Sequence, residues 1–278
     1  MTIDKITLIS GVPRSGTTLC CHLLNKQQHV VALHEPLNPK SINIYDDNAA
    51  AVISFEARKL YGAVRHGLPF EHGDICGLNI SNPIGQERDV NSGRRQQTAQ
   101  RGRICVADYI GKDFLLVIKQ NALFTAYLDK LLASFNVVCI VRNPVDVLLS
   151  WWTVDLPIGR GHIPAGENND EKLKRRLQNV SVIKRQLLIY EWFCERYFTN
   201  NADVIAYEEI VKSDGVCLFE KMQLNHTKPQ PLSFQERVFP QHILERLEMH
   251  ESDILRLNTS GYYSPRQIAE RIKDVLNG

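Results

Sequence analysis

Ile6-Thr-Leu-Ile-Ser-Gly-Val-Pro-Arg-Ser-Gly-Thr-Thr-Leu19 is the stretch whose reading decides the fold. Ile6 to Ile9 is a short β-branched and apolar run that reads as a buried parallel strand. Gly11-Val-Pro-Arg-Ser-Gly16 follows as a tight loop, and Thr17 opens a helix. A strand that feeds a glycine-containing loop and then a helix start aims several backbone N–H groups and a positive dipole end at one point. Such a point suits a phosphate-like anion.

The Gly11-x-x-x-x-Gly16 spacing is that of nucleotide-triphosphate loops, but Thr17 stands where those loops carry lysine. That lysine normally reaches the β- and γ-phosphates. In its place the loop offers Arg14, the hydroxyls of Ser15, Thr17 and Thr18, and the backbone at Gly16. This is a donor-rich cradle with a fixed positive charge and no evident need for a metal. The rivals at this point are a loop-type phosphotransferase or kinase and a non-catalytic nucleotide-binding module.

Residues 11–19 resemble the 5′-phosphosulfate loop of sulfotransferases that use 3′-phosphoadenosine-5′-phosphosulfate (PAPS), most like the tyrosylprotein and the bacterial and carbohydrate branches. A second motif points the same way. Val137-Val-Cys-Ile-Val141 is the clearest strand in the chain, followed by Arg142-Asn-Pro-Val-Asp146 and an apolar helix through Trp152. Pro144 suits a first helical turn, where its missing N–H leaves nothing unbonded. Arg142 and, eight positions on, Ser150 match the family's 3′-phosphate element in residue type and spacing. A guanidinium gives a bidentate fork to a phosphate, and a serine adds a neutral donor.

The resemblance implies a three-layer α/β/α fold with a central parallel sheet, a P-loop NTPase-like sulfotransferase fold whose donor lies at the C-terminal strand edge. It covers roughly residues 5–38 and 114–152, and 203–210 more thinly. The implied donor is PAPS, leaving adenosine 3′,5′-bisphosphate. The implied acceptor is a hydroxyl or amine of a glycan, lipid or peptide.

Val30 to Leu33 reads as a second buried strand ending at His34-Glu35-Pro36. A carboxylate at a strand tip beside an anion loop suits a general base, although a solvated or capping carboxylate is the plainer reading. The resemblance implies that Glu35 is the base, with His34 as the alternative. Phe114 to Ile118 is a third strand, ending at Lys119. Lys119 is either a snorkelling surface lysine or, as the resemblance implies, the group that stabilises charge on the leaving phosphate. The Asp or Asn and the Pro that the family places between this lysine and Phe124 are not reproduced. Tyr207-Glu208-Glu209-Ile210, after the strand from Asp203, resembles a family element whose tyrosine approaches the donor.

Elsewhere the reading is coarser. A helix is expected over 48–60, and 62–102 shows few apolar periods, so 40–110 and 153–170 are expected to be acceptor-binding insertions. Arg88, Arg94, Arg95, Arg101 and Arg103 form a basic cluster, either an ordinary wet loop or a lid for an anionic acceptor. Helices are expected over 126–133, 170–198, 239–255 and 265–276, with Trp192 and Phe193 in the core and Lys172 to Arg176 on a wet face. Ser260 and Arg266 are candidates to close on the 3′-phosphate.

The 278 residues suit one domain, and 33 Lys and Arg against 31 Asp and Glu give a net charge of +2, which supplies no global field for nucleic acid. Seven cysteines in no zinc-type spacing, and no evident signal peptide, point to a reducing cytoplasm. No run of about 18 apolar residues offers a membrane span.

Overall fold

The computed structural model describes residues 5–39, 48–76, 79–80, 84–88, 95–97, 100–106, 113–225, 227–234 and 238–278, with side chains throughout these segments except residues 73–99. In chain order the first half runs β1 (Ile6–Gly11), α1 (Thr17–Leu24), β2 (Val30–His34), α2 (Ala49–Arg65), β3 (Phe70–Cys76), β4 (Asn79–Ile80), β5 (Ile84–Arg88), β6 (Arg95–Gln97), β7 (Gln100–Ile104), β8 (Leu115–Lys119), α3 (Asn121–Ala126) and α4 (Leu128–Leu131). The second half runs β9 (Asn136–Val141), α5 (Pro144–Trp152), α6 (Pro164–Glu167), α7 (Glu171–Arg176), α8 (Val182–Thr199), β10 (Asp203–Ala206), α9 (Tyr207–Lys212), α10 (Val216–Lys221), α11 (Gln241–Met249), α12 (Glu251–Leu255) and α13 (Pro265–Asn277).

Five strands form a parallel sheet in the order β10-β9-β1-β8-β2. All six residues of β1 are buried, as both-face burial of a parallel sheet requires. Successive side chains go to opposite faces. Leu8, Val137 and Cys139 join the core under α3, α5 and α8, while Ile9, Val138 and Ile140 join the smaller core under α1 and α10. The sheet is therefore flanked by helices, as the sequence implies.

The order also fixes where a ligand fits. The chain leaves β1 toward β2, returns to fill the place between them with β8, and only then crosses to β9 on the far side. Such a switch point opens a crevice at the C-terminal strand ends. There β1 is held by a buried hydroxyl cluster, in which Ser10 Oγ lies 2.7 Å from Thr125 Oγ1 and 3.1 Å from Tyr197 Oη.

Three expectations are corrected. The described residues within 70–104 form short antiparallel strands, with β3 between β4 and β7 and β5 paired to β6. Their glycine, arginine and glutamine content carries no apolar alternation, which hid them. The helix expected over 126–133 begins at Asn121 and breaks at Tyr127. All of α3 is buried, so it has no wet face to reveal a period. The helix expected over 170–198 is two, α7 and α8, broken around Asn179, whose φ is 57°. Lys172, Lys174 and Arg175 are exposed, as expected, and the Arg176 side chain, 36% exposed, bridges to Glu191 and Glu195 of α8 at 3.4 and 2.7 Å. Trp192 and Phe193 are core residues, as expected.

Among the described residues no helix is long and apolar enough to cross a membrane. Tyr197→Phe should cost about 1 kcal/mol, because Ser10 and Thr125 keep each other as partners. Urea denaturation reads this as a lower midpoint with an unchanged slope.

Candidate active site

The loop after β1 is shaped by what it cannot hold. A Cβ on Gly11 would lie 2.4 Å from Thr17 Cγ2 and 2.9 Å from the Ile140 carbonyl. Gly16 has φ 95°, and a Cβ there would meet the Tyr207 ring at 2.3 Å. Arg14 also takes a positive φ of 72°. The loop is tied to β9 by Val12 N–H on the Ile140 carbonyl, and to α5 by Trp151 Nε1 on the Pro13 carbonyl at 2.8 Å. Ser15 is buried and its hydroxyl donates to the Ile140 carbonyl at 3.0 Å, so it braces the loop. Thr17 and Thr18 begin α1, whose N-cap Gly16 supplies no side-chain cap. First-turn N–H groups have no intrahelical acceptor and face the crevice.

The end of β9 brings a second group alongside. Asn143 caps α5 through Val145 N–H, which places Arg142 at the strand tip. The Arg142 guanidinium lies 4.3 Å from the centre of the Tyr207 ring. Its Nη2 is 3.6 Å from Asp146 Oδ1, and its side chain is 13% exposed. Its Nε is buried with no hydrogen-bond partner among the described residues. Ser150 Oγ accepts from Arg14 Nε at 3.1 Å. Arg14, Gly16, Arg142, Ser150 and Tyr207 are thus one cluster, drawn from the loop after β1, the residue after β9, α5 and α9.

Further residues hold this cluster. Glu208 accepts Asn143 N–H at 3.1 Å and the Tyr263 hydroxyl at 2.6 Å. Arg271 of α13 takes Asp146 bidentately, at 3.1 and 2.8 Å. The Tyr190 hydroxyl donates to the Arg142 carbonyl at 2.7 Å. Arg266 does not join them: it is 88% exposed and paired with Glu270. The Ser260 N–H turns back to Asn258. From this late loop the contact with Glu208 comes from Tyr263, which no local motif marks.

The third group sits at the ends of β2 and β8, whose register pairs His34 with Lys119. Glu35 has φ 47°, its N–H donates to the Lys119 carbonyl, and Lys119 Nζ donates to its Oε1 at 2.7 Å. The Lys119 side chain is 6% exposed and that of Glu35 42%, so Lys119 is not a surface lysine. Burial opposes ionisation of Glu35, but the Lys119 ammonium and Arg101 more than offset it and hold the carboxyl below its ordinary 4.5. His34 is buried, and its backbone N–H donates to His72 Nε2 at 2.9 Å. Burial, aided by Lys119, pushes the His34 imidazole down to about 3, and burial with Arg101 pushes His72 down to about 4. Both rings are neutral at pH 7.

Arg101 donates to the carbonyls of Glu35, Pro36 and Leu37 at 3.0–3.1 Å. Arg103 donates to the Pro69 carbonyl and lies 3.9 Å from Glu71. Arg101 therefore braces the wall after β2, and Arg103 the start of β3. Arg94 lies outside the described residues, as do the side chains of Arg88 and Arg95.

The family model for the sulfotransferase domain matches residues 4–212. Among solved structures, the chain is similar to a sulfotransferase from Alicyclobacillus acidocaldarius, at 11% identity and TM-score 0.45, over 96% of this chain and 95% of that one. No curated protein matches the chain.

Gly16→Ala should lose about 1–3 kcal/mol from the left-handed backbone alone, before the collision with Tyr207 is counted. Chemical denaturation measures it.

Proposed function

The chain belongs to the sulfotransferase family, and from that premise we propose that it is one PAPS-dependent domain that sulfates a hydroxyl or amine of an acceptor. The acceptor is a carbohydrate, lipid or peptide group. The observation that carries the donor assignment is the buried Arg142 Nε, a charged donor without a partner among the described residues, on a guanidinium 4.3 Å from the centre of the Tyr207 ring. A buried donor left unmatched is costly, and a phosphate oxygen would satisfy it. Arg142 and Ser150 would hold the 3′-phosphate. Arg14, Thr17, Thr18 and the N–H groups around Gly16 would hold the 5′-phosphosulfate, with Ser15 bracing the loop and Tyr207 beside the nucleotide. The donor supplies an electrophilic sulfur on a good leaving group.

In this reading Glu35 takes the acceptor proton as the acceptor oxygen bonds to sulfur. The bond from sulfur to the bridging oxygen breaks, and its electron pair stays on the 5′-phosphate. Arg14 and Lys119 oppose the charge that develops there, as preorganised cations do in a site shielded from water. The Lys119 contact serves a second purpose, keeping Glu35 ionised and ready to accept. Glu35 is favoured over His34 because its side chain is partly exposed, while His34 is buried. Sulfuryl carries less charge than phosphoryl, so the scheme needs no bridging Mg²⁺.

Two predictions follow from these roles. Arg142→Ala should weaken adenosine 3′,5′-bisphosphate binding about 10- to 100-fold, the worth of a charge-assisted hydrogen bond, while leaving adenosine 5′-phosphate binding nearly unchanged. Calorimetry with the two nucleotides reads the difference. The second concerns pH. Glu35 acts while ionised, so kcat/KM should fall only as pH drops through a carboxyl value below 4.5. In Lys119→Met the ammonium no longer favours the Glu35 carboxylate, and the acid limb should move to higher pH. Glu35→Gln should lose the limb and about 10²- to 10⁴-fold in kcat. An acid limb in Lys119→Met at the wild-type pH would remove Glu35 as base.

A further inference from the structure

Asp146 lies between two guanidinium groups, and its distances to them differ. Arg271 Nε and Nη2 donate to its two carboxylate oxygens at 3.1 and 2.8 Å, a bidentate pair. Arg142 Nη2 stands 3.6 Å from Oδ1, the oxygen that Arg271 Nη2 already holds, and that separation is too long for a hydrogen bond. The Asp146 side chain is 12% exposed and that of Arg142 13%, so water screens the two charges poorly.

Arg271 comes from α13, which lies beyond the residues 4–212 that match the sulfotransferase domain. The helix is well anchored. Ser264 and Gln267 cap its start reciprocally, Pro265 opens its first turn, and Ile268 and Ile272, one turn apart, are buried in the core. Asn143 Nδ2 also reaches the Gln267 carbonyl at 3.5 Å, so α13 is tied to the residue that follows Arg142.

The consequence is electrostatic. A buried carboxylate keeps a cation close, because little water is there to solvate it. Arg271 meets that need through both oxygens. Without it, Arg142 is the cation at hand among the described residues, and a closed Arg142–Asp146 pair would set a fixed anion in competition with a phosphate for one guanidinium.

Resting on the 3′-phosphate reading of Arg142, we propose that Arg271 is a positioning residue for the nucleotide: it holds Asp146 away from Arg142 and so keeps that guanidinium available to a phosphate. Arg271 acts through Asp146. The last helix of the chain thereby sets the affinity of a site built at the junction of β9 and α5.

The test is calorimetry of the full chain with adenosine 3′,5′-bisphosphate and with adenosine 5′-phosphate. Arg271→Gln should weaken the bisphosphate at least ten-fold and leave the monophosphate within two-fold. Adding Asp146→Asn to Arg271→Gln should bring the bisphosphate back to within three-fold of wild type, because the competing charge is gone. A merely structural arginine would not be rescued by neutralising its partner. Asp146→Asn alone should bind the bisphosphate at least as tightly as wild type, a result that holds whether or not Arg271→Gln folds. A loss of less than ten-fold in Arg271→Gln, a double variant more than three-fold weaker than wild type, or weaker binding by Asp146→Asn overturns the role of Arg271 and leaves the donor reading standing. Wild type that binds the two nucleotides equally overturns the 3′-phosphate reading, and this role with it.

Discussion

Arg142 is a cation kept largely out of water with an incomplete set of partners, and much of the C-terminal half of the chain serves to hold it there. Stacking on Tyr207 contributes about 0.5–2 kcal/mol, less than full hydration of a guanidinium provides. Asp146 stands 3.6 Å away and is itself claimed at closer range by Arg271. Glu208 pins the backbone at Asn143 from one side and Tyr263 from the other. The arrangement keeps the guanidinium fixed while its Nε has no partner among the described residues. A site organised in this way spends little on reordering when its ligand arrives.

The loop and the Arg142 cluster are mutually dependent. Tyr207 fills the space against Gly16 that any side chain would need, and the same ring carries Arg142 on its face. Arg14 crosses to Ser150, so the loop after β1 and α5 are joined by a direct hydrogen bond. On the other flank, Lys119 joins β8 to the base candidate, and Gln120 N–H on the Ile9 carbonyl sets that strand end against the start of the loop. The parallel sheet brings these groups to one edge although they stand far apart in the chain.

What the sequence disclosed tracks how local each feature is. The strand, loop and helix around Gly11 to Thr18 are contiguous, and Arg142 with Ser150 lies on one strand–helix junction, so pattern and spacing sufficed. Lys119 stayed ambiguous because its environment is set by Glu35, 84 positions away. Tyr263 and Arg271 were missed for the same reason, since their partners Glu208 and Asp146 come from other elements. The break between α7 and α8 was hidden because Leu173, Leu177 and Leu187 all bury into one core, so the apolar period runs through the turn. Residues 70–104 gave the least, being short strands without alternation.

The central claim is that this edge of the sheet receives a nucleotide with a 3′-phosphate and does not receive a magnesium triphosphate. Calorimetry on the wild-type chain, with adenosine 3′,5′-bisphosphate in EDTA and with ATP in excess Mg²⁺, tests it most directly. The account predicts that the bisphosphate binds at least ten-fold more tightly and without metal. Tight binding of ATP–Mg²⁺ with none of the bisphosphate would contradict it.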